Sequence, residues 1–270
     1  MSSAEITPEI TIATWNVNSV KARLAHLVKW LDSFKPDVVA LQELKTTEEG
    51  FPGLEIQAAG YHWAMAGQKS YNGVALLSKE PIELLEEALP GDEKDEQARY
   101  IEGRTLGLRV GAIYLPNGNP ANSEKFPYKL AWMERLERHA KTLLASEEPI
   151  LLCGDYNVIP EPEDCYDPVA WTGDALFRPE SRAALRRLTY LGYTDAFRAF
   201  HTEPHRYSFW DYQGGAWQND LGIRIDHLLL SPQAADRLCD SGIDREPRGW
   251  QKASDHTPVW CRLSAQPPNA

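Results

Sequence analysis

The sequence predicts one integrated α/β domain built from mixed sheets covered by helices. Three observations carry that prediction. Short β-branched or apolar runs recur along the chain, each bounded by polar or turn residues. Amphipathic helical stripes lie between some of them. Other runs are near neighbours joined by tight turns, which makes the sheets mixed rather than purely parallel. No repeat at a fixed period interrupts the pattern, and no long linker rich in Pro, Gly or Ser divides it.

The strand-like runs fall at residues 10–15, 38–42, 73–78, 105–110, 111–114, 150–153, 225–230 and 258–263. Residues 20–34 place Val20, Leu24, Leu27, Trp30 and Leu31 on one helical stripe. Residues 124–145 do the same with Trp132, Leu136 and Leu143, and residues 179–191 set Leu185, Leu188 and Leu191 opposite several arginines. The expected organisation is an extension at 1–9, a domain at 10–263 and a disordered end at 264–270.

A chain of 270 residues needs no covalent staples, since a domain of this size buries about three quarters of its unfolded surface. Nine Trp, eleven Tyr and seven Phe exclude disorder as the main state. The cysteines at 153, 165, 239 and 261 show no C-x-x-C spacing, so a zinc ribbon or thioredoxin-type site is not expected. Cys153 and Cys261 sit in apolar runs and read as small buried hydrophobes. The opening MSSAEITPEI lacks a basic region followed by an apolar stretch, so no signal peptide is expected. No apolar run approaches the ~18–20 residues of a membrane helix. A reduced, cytoplasmic setting and a monomer are the resulting expectations.

Several predicted strands end abruptly in an amide or a carboxylate. Asn16 closes the first, Gln42-Glu43 the second and Asp155-Tyr156-Asn157 the apolar run at 150–153; Asp226 opens another, and Asp255-His256 precede the last. Taken singly, each has an ordinary explanation. An Asp at a strand end commonly caps a turn, Asp255-His256 commonly form a surface turn, and the Trp-rich segment 209–212 commonly belongs to a core or a lid. Together they look like one site, because an isolated buried carboxylate is costly without a partner or a metal. Asp155 and Asn157 share a face on an extended chain. With Asn16 and Glu43 they offer hard oxygen donors that suit Mg2+ or Mn2+, ions that commonly act on phosphate esters. His256 supplies a titratable imidazole that Asp226 would orient. Neither a G-x-S-x-G elbow nor a P-loop occurs.

The ordered segments TWNVNSVKAR (14–23), DVVALQELK (37–45), YNGVALLSK (71–79), YLPNG (114–118), CGDYNVIP (153–160), RYSFWDY (206–212), NDLGIRIDHLLLS (219–231) and ASDHTPVW (253–260) resemble the exonuclease III family of apurinic/apyrimidinic endonucleases, within the endonuclease/exonuclease/phosphatase superfamily. The resemblance spans residues 10–263. It implies a four-layer α/β sandwich, two mixed β-sheets packed face to face and flanked by helices. It also implies a Mg2+-dependent DNA repair nuclease, with Mn2+ as a substitute. Such an enzyme incises duplex DNA 5′ to abasic sites and acts as a 3′-to-5′ exonuclease or 3′-phosphodiesterase on blocked ends, in a balance that the shared motifs leave open.

The residue roles it implies are these. Glu43 is the main metal carboxylate, with Asn16, Asp155, Asn157, Asp255 and His256 in or beside the metal site. Asp155 activates or orients the attacking water, Asn157 holds a phosphate oxygen or that water, and Tyr114 donates to the phosphate. His256, oriented by Asp226, stabilises phosphoryl charge. Whether Asp155 or His256 is the formal base, and whether one or two metals act, stays open. Phe209 and Trp210 are candidate wedges in the minor groove, and Lys45, Asn72 and Asn219 candidate phosphate or sugar contacts. Two competing readings are a phosphodiesterase for lipid head groups or RNA on the same fold, and a non-catalytic nucleic-acid-binding module.

The net charge of −11 runs against a DNA partner at first sight. Its distribution softens that objection. In residues 80–102, nine acids stand against Lys94 and Arg99, while residues 178–206 hold six arginines against three acids.

Overall fold

The computed structural model describes residues 8–265. In chain order the elements are β1 (Glu9–Asn16), α1 (Leu24–Phe34), β2 (Val38–Gln42), α2 (Gly53–Ala58), β3 (His62–Ala66), β4 (Val74–Ser78), β5 (Glu83–Glu86), β6 (Tyr100–Thr105), β7 (Leu108–Tyr114), α3 (Lys125–Leu144), β8 (Ile150–Asp155), α4 (Pro179–Tyr190), β9 (Thr194–Asp195), α5 (Ala196–Phe200), β10 (Asp226–Leu230), α6 (Pro232–Ala235), β11 (Leu238–Ile243) and β12 (Val259–Ser264). They form two six-stranded mixed sheets, ordered β11-β12-β1-β2-β4-β3 and β5-β6-β7-β8-β10-β9.

Period-2 alternation sorts each strand between two cores. Ile10, Ile12, Val38, Ala40, Val74 and Leu76 of the first sheet meet Val110, Ala112, Leu151, Cys153, Leu228 and Leu230 of the second, with Cys261 and Leu263 beside them. The alternate residues face outwards. Ala13, Trp15, Val39 and Leu41 pack on Leu27, Trp30 and Leu31 of α1 and on Ile56 of α2. Ile113, Leu152 and Leu229 pack on Trp132, Met133 and Leu136 of α3 and on Leu185 and Leu188 of α4. The result is a four-layer sandwich. Among the described residues, no helix is long and apolar enough to cross a membrane.

The differences from the sequence reading have physical causes. The run at 105–110 is not one strand. Thr105 pairs with Leu108, and the two residues between them, Leu106 (φ 52°) and Gly107 (φ 71°), form a tight hairpin turn. Leu at the first position of such a turn lacks the usual Asn or Asp signal. The sequence reading touched β6 only at Thr105, and the other strands it missed, β3, β5, β9 and β11, are the four sheet edges. Edge strands are half solvated and carry His62, Glu83, Glu86 or Asp240, so they do not read as apolar runs. Glu9, in the predicted extension, pairs with Ser264, in the predicted tail, inside the first sheet. The remainder of the predicted extension and tail, 1–7 and 266–270, lies outside the described residues.

Candidate active site

The rows of side chains that fill the space between the sheets turn polar at one end. Along β1 the inward row runs Ile10, Ile12, Thr14, Asn16; along β8, Leu151, Cys153, Asp155; along β7, Val110, Ala112, Tyr114; along β10 it reaches Asp226 from Leu230 and Leu228. Register then aligns the second sheet's contribution, because Asp155 lies opposite Tyr114 on one side and Asp226 on the other. Directly paired residues share a face, so all three aim at the same place. Gly154 lets β7 and β8 come this close, since a Cβ there would lie 1.9 Å from the Ile113 carbonyl oxygen.

The loops leaving these strands are held in costly backbone shapes. Asn18, Ser19, Glu43, Lys45, Asn72 and Asn157 all have φ between 43° and 85°. Such conformations cost about 1–3 kcal/mol each and persist where surrounding contacts enforce them. Here Ser19 N–H donates to the Glu43 carbonyl, Val20 N–H to that of Leu44 and Lys45 N–H to that of Asn72. The left-handed turn at Glu43 aims its carboxylate across the strand ends. There Asn16 Nδ2 donates to Glu43 Oε1 and to Asp155 Oδ2, each at 3.0 Å. Lys45 Nζ lies 2.8 Å from Glu43 Oε2. Asn157 N–H donates to Asp155 Oδ1 at 2.9 Å. His256 Nδ1 stands 2.9 Å from Asp226 Oδ2, which also accepts from Ser208 Oγ at 2.6 Å. His256 Nε2 is 3.6 Å from Asp155 Oδ2.

Burial and charge oppose each other in this cluster. For Glu43, burial favours the neutral acid, but hydrogen bonds from Lys45 and Asn16 outweigh it and hold the carboxyl below its usual range. For Asp155, burial wins and pushes the carboxyl up to about 7, with His256 pulling the other way. For His256, burial favours the neutral ring, yet the Asp226 and Asp155 carboxylates override it and raise the imidazole to about 10. Burial, together with Glu43 and Asp155, keeps the Tyr114 hydroxyl well above the usual range and protonated. The site therefore combines two carboxylates with two positioned donors, His256 and Tyr114.

The donor set fits a hard divalent cation. One ligand atom each from Glu43, Asp155 and His256 lies within 4.8 Å of the others, and the anionic members are oxygen donors without a thiolate. The other predicted metal residues carry protein contacts of their own. The Asn16 amide oxygen accepts from Asn18 N–H. Asn157 Oδ1 accepts from Asn117 Nδ2, and its own Nδ2 donates to the Leu115 carbonyl. Asp255 stands aside and accepts from Asn18 Nδ2. Glu43, Asp155 and His256 are the groups whose ligand atoms come close enough to share an ion.

The chain matches the Endonuclease/Exonuclease/phosphatase family over residues 13–256. It belongs to that family. It is 34% identical to an exodeoxyribonuclease III of Haemophilus influenzae, over 93% of this chain and 98% of that protein. An AP endonuclease structure from Archaeoglobus fulgidus superposes with a TM-score of 0.90 at 37% identity, covering 93% of this chain and 98% of that one. The structure of a 3′ phosphatase from Neisseria bound to a product DNA hairpin superposes with a TM-score of 0.91 at 37% identity, covering 94% and 99%. Within its family this chain is a hydrolase of the exonuclease III type.

Against this family frame, the remaining predicted residues separate. Lys45 lies inside the site but is already engaged with Glu43 and with Asn18 Oδ1. Asn72 is buried and donates to Gln68 Oε1. Asn219 is exposed and donates to the Gly215 carbonyl, closing its own loop. Phe209 packs edge-on against His256, ring centroids 4.9 Å apart. Trp210 requires a correction, because it is 0% exposed. It is not presented as a wedge. Its Nε1 donates to Asp220 and its ring packs among Tyr207, Ala216 and Trp217, making it the core of the loop itself. Neighbouring residues of an extended segment point to opposite sides, so Phe209 and Trp210 could not both face a substrate. Trp210→Ala is therefore expected to cost about 3–5 kcal/mol of stability in a denaturant titration, and Phe209→Ala to spare stability while lowering turnover. The six arginines of residues 178–206 form no free basic face either. Each is ion-paired, with Glu180, Glu161, Glu137, Asp164 or Glu203.

Sequence reasoning missed several residues of the site. Asn18, two positions after Asn16, links Asp255 and Lys45. Ser208 caps Asp226. Asn117, inside the quoted YLPNG segment, holds Asn157. Lys129 had the clearest available signal. It interrupts the apolar stripe of α3, with Phe126 before it and Met133 and Leu136 after it.

Proposed function

We propose that this chain is a Mg2+-dependent DNA repair nuclease that incises duplex DNA 5′ to abasic sites and also acts as a 3′-to-5′ exonuclease and 3′-phosphodiesterase. The observation that carries this reading is the convergence of Glu43, Asp155 and His256, with Asp226 behind the imidazole and Tyr114 beside it, at the open end of the core between the sheets. The names of the exodeoxyribonuclease III, AP endonuclease and 3′ phosphatase relatives support the DNA substrate. The absence of a free basic face among the arginines of residues 178–206 fits an enzyme whose loose, charge-driven DNA affinity is modest and falls with salt. A monomer acting in the cytoplasm completes the proposal.

Asp155, ionised, accepts a hydrogen bond from the attacking water and draws its proton. Asn157 keeps that carboxylate in place through its N–H and holds the water or a phosphate oxygen beside it. His256, as imidazolium locked by Asp226, donates from Nε2 to a phosphoryl oxygen, and Tyr114 donates from its hydroxyl. Mg2+ or Mn2+ held by Glu43 and Asp155 would supply neutralisation of charge developing on the phosphate. The protein's share is positioning and prearranged donors, which need no reorganisation as charge develops.

A fluorescent duplex carrying one tetrahydrofuran abasic analogue tests this reading directly. Incision at the analogue and shortening from 3′ ends are expected with Mg2+ and lost with EDTA; a protein that does neither in Mg2+ does not have this function. The pH profile follows from the site. Ionisation of Asp155 makes kcat/KM rise with pH on the acid side, at a pH that bound Mg2+ moves below the metal-free value of about 7. His256 keeps its proton until about pH 10, so the alkaline fall belongs to it. His256→Asn is expected to lower the plateau and remove that alkaline limb, as measured from pH 6 to 10.5.

A further inference from the structure

The α3 lysine raises a physical problem that the site chemistry does not explain. Lys129 is 0% exposed and sits in the apolar stripe that docks α3 on the second sheet. Burying an ammonium there is expensive. No carboxylate lies within ion-pair distance of it among the described residues. Leu or Met at this position would fill the stripe without that cost. Its Nζ instead donates to two main-chain carbonyls, Asn157 at 2.5 Å and Asn117 at 3.0 Å. These carbonyls belong to the loop after β8 and the loop after β7. The same two residues are joined by their side chains, Asn117 Nδ2 donating to Asn157 Oδ1 at 3.1 Å. Asn157 itself is left-handed at φ 47°, so its backbone needs outside contacts to hold its shape.

We propose that Lys129 is a positioning residue for phosphodiester cleavage: its buried amino group clamps the loops after β7 and β8 together, fixing the Asn157 amide and N–H against Asp155. The clamp rests on the reading of Asp155 and Asn157 as the groups that handle water and phosphate. It acts from behind the site and touches neither substrate nor metal. The N–H donors at the tip of one flexible stem satisfy two carbonyls from different loops at once.

The test compares wild type, Lys129→Met, Lys129→Arg, Asn157→Ala and the double variant Lys129→Met/Asn157→Ala on the abasic duplex. Lys129→Met is expected to lower kcat roughly 10- to 100-fold, the scale of losing a precise geometry, with KM nearly unchanged. Lys129→Arg, which keeps the donors, is expected to recover part of the loss. In the Asn157→Ala background, Lys129→Met is expected to change kcat by about twofold or less, because both act through one group. Wild-type kcat in Lys129→Met, or full additivity with Asn157→Ala, overturns the clamp. A second readout needs no catalysis. The Asn157 side-chain amide resonance, assigned by its loss in Asn157→Ala, is expected to move in Lys129→Met while other α3 amides keep their positions. Where Lys129→Met does not fold, Lys129→Gln serves for both measurements. An Asn157 resonance that stays in place sinks the clamp even where wild type proves inactive on abasic DNA, whereas that inactivity by itself counts against the proposed function alone.

Discussion

Asp155→Asn is expected to abolish turnover, by at least about 10³-fold in kcat, while leaving DNA binding intact and the folded protein no less stable. The first expectation follows from position. Asp155 is the one carboxylate in contact with Asn16, Asn157 and His256 together. Removing a general base costs about 10²–10⁴-fold, and the donors around it lose the charge they were arranged to hold. The second follows from burial. A carboxyl whose folded pKa is pushed up to about 7 disfavours the ionised form in the folded state. Its charge therefore subtracts from stability at any pH above the unfolded carboxyl's own pKa, near 4. A neutral amide of the same shape removes that penalty. Thermal unfolding at pH 8 without metal is expected to give an equal or higher Tm for the variant, and a band-shift assay to give unchanged affinity. A lower Tm with surviving activity would assign Asp155 to the scaffold instead of the chemistry.

Arg224→Met is expected to cost about 3–5 kcal/mol, the range for stripping one partner from a buried ion network. For a chain of this size that lowers Tm by on the order of 10 °C. Arg224 is 1% exposed. Its Nε lies 2.7 Å from Asp164 Oδ1 and its NH1 2.7 Å from Asp195 Oδ2, with Arg198 also on Asp164. The guanidinium thereby ties the loop after β8 to the segment that enters β10 and to the N-cap of α5. Burial alone would raise both Asp164 and Asp195, but the arginines outweigh it and both sit below their usual range. Depressed carboxyls stabilise the fold above their unfolded pKa, and that stability is lost as pH falls through the folded values, below about 4. Wild type should therefore lose stability steeply in that acid range, as followed by urea titrations between pH 2.5 and 6. In Arg224→Met, Asp195 loses its ion pair while Asp164 keeps only Arg198, so protonation becomes easier and the acid-range loss of stability should weaken. A variant with wild-type stability would show that the network is dispensable.

Much of the site is legible in the sequence, for a reason that the structure makes plain. A strand whose inward row is apolar has no use for a carboxylate on the same row unless the row leaves the core there. Asn16, Tyr114, Asp155 and Asp226 each stand on such a row, at the rung where the space between the sheets opens. Asn157 and His256 are less direct, since they lie on loops whose direction depends on left-handed turns and on Ser208, Asn117 and Lys129. Trp210 shows the limit of composition. An aromatic in a polar loop reads equally as a wedge or as a small core, and only the packing of Tyr207, Ala216 and Trp217 around it decides.

The chain alone determined the alternation that splits each central strand between two cores, the helical stripes that cover them, the ordered motifs of the family and the oxygen-rich chemistry of the site. These are periodic or local, so each residue carries its own share of the signal. Tertiary structure decided the edge strands, the pairing that sets Asp155 between Tyr114 and Asp226, the gathering of Glu43, Asp155 and His256 within reach of one ion, and the contact of a buried lysine with two loops. Those depend on which side chains meet across distant segments. Burial and charge at such meetings are properties of the assembled pair, and neither partner shows them alone.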